Sequence, residues 1–196
     1  GFYKQSTLPK ILIDSVENIK KPKFLKVNFI LDEARKIAAA KLVAEGTRKA
    51  LALDAFKKEL SSIVSHNLSR SFDSMPGFTS GLNLIQSITM PFKLRYMNVS
   101  ESLSDYEFRS FKHSAGFIVV SSETDHQPSW IEAGIVYQKV LITCALHKYS
   151  TATSGAPIEV PGLHQRLRQI LGTKLRPLTF VRVGETETKS KHSPRI

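Results

Sequence analysis

One cysteine stands in 196 residues. With no second thiol, an internal disulfide is excluded, and Cys144 alone cannot build a thiolate zinc site. Its place inside an apolar stretch reads it as a small core residue. No apolar run reaches the roughly 18 residues that suggest a membrane span. The longest candidate, 131–147, is broken by Glu132, Gln138 and Lys139, so no membrane partner is expected. The first ten residues, "GFYKQSTLPK", lack the apolar core of a signal peptide, and the expected compartment is the cytoplasm. Gly1 in the place of Met reads as a processing or cloning remnant, and the chain as a fragment of a longer protein. Catalytic signatures are missing too. There is no glycine-rich phosphate loop, no G-x-S-x-G, no H-E-x-x-H and no Cys–His cluster. The six histidines are scattered, so no metal site is expected and no catalytic residue is identified.

Acidic residues are also in deficit, at 17 against 28 Lys and Arg, for a net charge of +11. The basic residues are spread rather than clustered. Lys10, Lys20, Lys21, Lys23 and Lys26 dot the first segment; Arg166, Arg168, Lys174, Arg176 and Arg182 dot the last. No nucleic-acid-binding motif accompanies them, so a basic nucleic-acid-binding module is carried only as an alternative. Apolar content of 41% and charged content of 23% are those of a globular chain.

The pattern along the chain divides it into a basic arm at 1–28, a domain at 29–184 and a basic tail at 185–196. "KILIDSV" and "KFLKVNFI" read as short strands or extended arms. Residues 28–51 read as a helix, with Asp32 and Glu33 early and apolar residues at Ile30, Ala34, Ile37 and Val43. A second helix follows, with Asp54 as N-cap and Phe56, Leu60, Ile63, Val64 and Leu68 on one face. Residues 71–92 are mostly loop, with Leu82, Leu84, Ile85 and Ile88 in a short helix. A helix over 100–112 takes Ser100 as cap. "AGFIVVSSE", 115–123, is a strand covered on both faces. Residues 130–149 are a buried helix, with Trp130 as a packing anchor. "PGLHQRLRQILG" is an amphipathic helix stopping at Gly172, and "RPLTFVRVGE" is a second strand. The order is that of an α+β fold, a sheet packed against long helices.

Between the buried helix and the amphipathic one lies "TSGAPIEVPG", residues 153–162. Gly155 and Ala156 allow close approach to the backbone. Pro157 and Pro161 stiffen it, and Glu159 is its one charge. A flat heteroaromatic ring is one occupant for such a segment; a rigid connector with no ligand is the other.

Residues 129–185 resemble the C-terminal half of the nitroreductase family. The likeness rests on Ala133-Gly134 near the start of the buried helix, Pro157-Ile158-Glu159 in the loop, Leu171-Gly172 at a helix end and Val181-Arg182-Val183-Gly184 in the last strand. More loosely, 54–78 resembles the diverged, tandem nitroreductase-like branch known from mycobacteria. The resemblance implies an α+β sandwich with a central, mostly antiparallel sheet, binding FMN at a dimer interface. It implies flavin contacts from Gly155, Ala156, Pro157, Ile158 and Glu159, and phosphate contacts from Lys189, Lys191 and Arg195 in the tail. It implies NAD(P)H as the electron donor, and a homodimer or a pseudo-dimer with a missing half. The family's N-terminal arginine- and serine-containing phosphate motif, and the Asn-x-Gln-Pro-type segment after it, are absent from residues 1–30. Two functions follow: an FMN-dependent oxidoreductase, or a non-catalytic domain that sequesters flavin or oligomerises within a larger protein.

Overall fold

The computed structural model describes Tyr3, residues 7–71 and residues 73–186. In chain order these form α1 (Lys10–Glu17), β1 (Leu25–Ile30), α2 (Glu33–Leu51), α3 (Asp54–Ile63), β2 (Val64–Ser65) and β3 (Met75–Pro76). A 3-10 turn at Gly77–Ser80 follows. Then come α4 (Leu84–Tyr96), α5 (Ser100–Lys112), β4 (Gly116–Ser122), α6 (Gln127–Leu146), β5 (Ser150–Thr153), α7 (Ala156–Glu159), α8 (Leu163–Leu171) and β6 (Arg176–Gly184).

The main sheet has the order β1-β4-β6-β5, with every neighbouring pair antiparallel. β4 is buried along its whole length, as its unbroken apolar run requires. Phe117 and Val119 face one side, where Ala39, Ala40, Leu42 and Val43 of α2, Phe111 of α5 and Leu163 and Leu167 of α8 cover them. Ile118 faces the other, against Leu12 and Val16 of α1 and Val140 and Cys144 of α6. The molecule is thus an α+β sandwich of helix, sheet and helix layers. β2 and β3 pair separately, in parallel.

Local chemistry sets several helix ends. Asp32 caps α2 by accepting the Arg35 N–H at 2.9 Å. Asn83 and Gln86 close a reciprocal capping box on α4. α8 ends at Gly172, with φ of 66°.

Other expectations are corrected. "KILIDSV" forms α1 rather than a strand, because its apolar residues at 12 and 16 meet the core at helical spacing. Residues 8–28 pack into the domain: Leu12 and Val16 are fully buried and β1 pairs with β4. Leu53, not Asp54, is the N-cap of α3, and Val99, not Ser100, that of α5. Leu68 lies beyond α3, which stops at Ile63. Within 71–92, α4 begins at Leu84 and continues through Pro91 to Tyr96. α6 is buried on one face only: Ile131, Ile135, Ile142 and Leu146 point outward, and Trp130 is half exposed.

Candidate functional site

The segment after α6 is more ordered than a connector. Ser150–Thr153 joins the sheet edge as β5, with Thr153 opposite Val181. The Ser154 N–H then donates to the Phe180 carbonyl at 3.1 Å. Gly155 starts a single helical turn, in which the N–H groups of Ile158 and Glu159 both donate to the Gly155 carbonyl at 2.9 Å. Pro157 sits in that first turn, where its missing N–H loses nothing, and its ring is buried. Ile158 and Val160 pack against the core formed by α2, α5 and α8. The Tyr137 hydroxyl of α6 is hydrogen-bonded to the Thr153 hydroxyl.

α2 supports this turn from beneath. A Cβ at Gly46 would lie 2.6 Å from the Ala156 Cβ and 2.9 Å from Leu163 Cδ1. Only glycine lets the two helices approach this closely. The result is a stiff shelf with Thr153 and Glu159 exposed and Gly155 and Ala156 half-buried.

The five residues Gly155 to Glu159 are therefore contiguous on α7 and its N-cap. Lys189, Lys191 and Arg195 lie outside the described residues. The shelf fits the edge of a flat ring, since nothing larger than Glu159 stands on it. Its fit is conditional on Glu159, whose Oε1 lies 2.6 Å from where a Gly155 Cβ would be. A planar group set on Gly155 meets that carboxylate as well. The N–H groups of Ser154, Ile158, Glu159 and Val160 are bonded within the protein. The shelf itself carries no cation for a phosphate. Two surface cavities, of about 400 and 420 Å³, lie elsewhere, and neither borders the shelf.

A buried polar cluster near the sheet is not apparent from motif reading. Arg182 on β6 is only 7% exposed. Its Nη1 donates to the Ser110 carbonyl at 2.8 Å and to the Ser110 Oγ at 2.7 Å. Its guanidinium lies between the rings of Tyr3 and Phe111, 4.7 and 4.9 Å from their centres. Tyr3 fills the space beside Gly184, where a Cβ would fall 2.4 Å from the ring. Burial pushes the Glu107 carboxyl above its ordinary range, against the lowering influence of Arg182. The available signal was positional: in a strand with period-two alternation, Arg182 shares its face with Phe180.

A second polar cluster closes the other end of the sheet. Asp125 accepts from Trp130 Nε1 at 2.8 Å and lies 3.2 Å from Arg176 Nε. Burial, then Arg176 and Arg168, holds the His164 imidazole below its usual pKa, partly offset by Asp125. His126 caps α6, with Ser129 Oγ 3.1 Å from its Nδ1. Ser129 is fully buried, so the pair holds a helix end rather than offering a nucleophile. Burial pushes the Cys144 thiol up to about 11. Among the described residues no group of His, Cys, Asp and Glu forms a metal cluster, and no helix is long and apolar enough to cross a membrane. His147 C-caps α6 and bonds Ser15 Oγ at 3.0 Å, a structural role.

Neither protein-family models nor curated proteins match the sequence. Solved structures do. A nitroreductase with bound FMN from Desulfitobacterium hafniense superposes with a TM-score of 0.57 at 12% identity, covering 100% of this chain and 86% of that one. The FMN-dependent nitroreductase NfnB of Mycobacterium smegmatis, in complex with NADPH, gives 0.58 at 12% identity, covering 100% and 88%. Iodotyrosine deiodinase bound to FMN and 3-iodo-L-tyrosine gives 0.58 at 12% identity, covering 99% and 88%. At that identity the likeness speaks for architecture, and over its full length this chain has the nitroreductase fold.

Proposed function

We propose that this chain is an FMN-binding oxidoreductase domain of nitroreductase type, working as a homodimer with NAD(P)H as electron donor. The observation that carries the reading is the fold shared with FMN-bound proteins over the whole chain. The stiff shelf at Gly155–Glu159 supports it. Bound FMN would supply the electron and hydride chemistry. Gly155, Ala156, Pro157, Ile158 and Glu159 would hold the ring edge, and Lys189, Lys191 and Arg195 the phosphate. A second copy, or the other half of a longer tandem protein like the diverged mycobacterial branch, would close the site from the opposite side.

A non-catalytic reading has one observation in its favour. Glu159 covers Gly155, and most main-chain donors of the shelf are already used. Reconstitution separates the two. Purified protein is mixed with FMN, desalted and scanned for the blue flavin band, then offered NADPH or NADH without oxygen. A retained band that bleaches supports the oxidoreductase; a retained band that does not bleach supports sequestration. No retained band sinks the oxidoreductase and flavin sequestration, and leaves a non-catalytic domain that oligomerises within a larger protein. FMN affinity unchanged by Pro157→Ala with Glu159→Ala would remove the shelf from the site.

A further inference from the structure

The segment Leu53–Val99 leaves the core at the end of α2 and returns at the start of α5. Its helices α3 and α4 pack on each other, and α3 buries none of its own residues. Where this excursion departs and rejoins, four helix ends meet around a cavity of about 420 Å³. That size suits a small organic molecule. Leu51, Ala52, Met97 and Val99 give it apolar walls, and Tyr96 an aromatic one. Lys57, Arg95, Asn98 and Ser100 supply its polar groups. Apolar walls with a few converging polar groups are the usual composition of a ligand site.

The charges decide the ligand. Lys57 and Arg95 both line the cavity. Lys57 Nζ holds Asp54 Oδ1 at 2.7 Å, and Asp54 is the acid at this junction with a bearing on both cations. Glu101, one residue beyond the lining, is held by Arg48 at 2.8 Å. Arg95 stands 5.8 Å from the centre of the Tyr96 ring and makes no ion pair among the described residues. Two cations against one largely exposed acid leave room for one more negative charge. The Asp54 carboxyl is held below its ordinary range, by Lys57 first and by Arg95 last and least, so this junction already stabilises one carboxylate. Asn98 Oδ1 accepts from the Ser100 hydroxyl at 2.6 Å, which fixes both side chains at the rim.

We propose that this cavity binds a small organic monocarboxylate with an aromatic or short apolar body. The carboxylate pairs with Arg95 and competes with Asp54 for Lys57, and the body lies against Tyr96, Met97 and Val99. The site is separate from the Gly155–Glu159 shelf and does not depend on flavin.

The test is a titration of the full chain with benzoate, read by NMR at the Tyr96 ring and the amides of 97–100. Benzyl alcohol serves as the neutral match. Saturable shifts confined to this junction are expected, with benzyl alcohol at least tenfold weaker, in line with a charge-assisted hydrogen bond of about 1.5–3 kcal/mol. Arg95→Gln weakens benzoate by a similar factor. Asp54→Asn frees Lys57 and tightens it several-fold, a gain that a misfolded protein does not produce. Equal binding of benzoate and benzyl alcohol overturns the proposal. So do shifts scattered over the basic surface that Arg95→Gln leaves unchanged, or an Asp54→Asn protein that binds no tighter.

Discussion

The guanidinium of Arg182 lies 4.9 Å from the centre of the Phe111 ring, at the apolar interface between helices and sheet. Phe111, Phe117 and Phe180 stack there with centres 5.1–6.1 Å apart. A buried charge survives in such surroundings only when hydrogen-bonded and paired. Ser110, through Nη1, and the two flanking rings do part of this for Arg182, whose Nε has no hydrogen-bond partner among the described residues. Arg182→Ala is therefore expected to lose about 3 kcal/mol of stability. Arg182→Lys keeps the charge but not the flat contacts and loses about 1–2 kcal/mol. Urea unfolding of the three proteins decides it, and an Arg182→Ala protein as stable as the parent would show that the cluster contributes nothing.

Gly46 and Ala156 bring α2 and α7 into contact. Gly46→Ala places a methyl 2.6 Å from the Ala156 Cβ, an overlap that the backbone must relieve at about 1–3 kcal/mol. Ala156→Gly in the same protein removes the nearest obstacle and should restore part of that loss. The double-mutant cycle measures the coupling. Additive losses would mean that Leu163, not Ala156, receives the clash. Because α7 carries the shelf, FMN affinity is expected to fall in Gly46→Ala and to recover with the second change.

The Gly46–Ala156 contact also shows where sequence reading stops. Periodicity and composition made α2, β4, α6 and α8 legible, because each carries a continuous apolar pattern, with acidic residues opening α2 and Gly172 closing α8. The glycine in α2 reads as a helix weakness until a partner 110 residues later is placed against it. α1 was misread for a related reason: "KILIDSV" is too short for period two and period 3.6 to separate, and only burial of Leu12 and Val16 distinguishes them. Of the candidate site, the shelf was visible through its prolines and glycine. Arg182 stands in the Val181-Arg182-Val183-Gly184 resemblance, but its burial among Ser110, Tyr3 and Phe111 was not legible, because those partners are distant in sequence.

Glu107 makes a pH-dependent prediction. Burial raises its pKa in the folded state, with Arg182 pulling the other way. The folded protein therefore holds this proton more tightly than the unfolded chain. Its contribution is fully present below the ordinary glutamate range and is lost as pH rises through the raised folded value. Glu107→Gln keeps the shape without the charge, so it should melt higher than the parent at neutral pH, and the difference should vanish in acid. Melting curves across that range check it. A Glu107→Gln protein less stable than the parent at neutral pH would mean that attraction to Arg182 outweighs burial.

The outward face of α6 predicts self-association. Ile131, Ile135, Gln138, Ile142 and Ala145 recur at alternating spacings of four and three on the side away from the sheet, with Gly134 and Leu146 beside them. Four of these seven are large aliphatic side chains left exposed by the single chain, and such a stripe is the pattern of a helix that packs against another. The seam is roughly symmetric about Gln138, so two copies running antiparallel would bring each Gln138 to its own counterpart, where the carboxamides satisfy each other. The expected species in light scattering is a dimer. Ile135→Asp or Ile142→Asp, each placing a carboxylate in the seam, should give the mass of one chain with the circular dichroism of the parent. Gln138→Leu should leave the dimer intact and raise its stability, because no buried carboxamide then needs a partner. A dimer indifferent to Ile142→Asp would place the interface elsewhere, and a parent protein that is monomeric at high concentration would remove the homodimer from the proposed function.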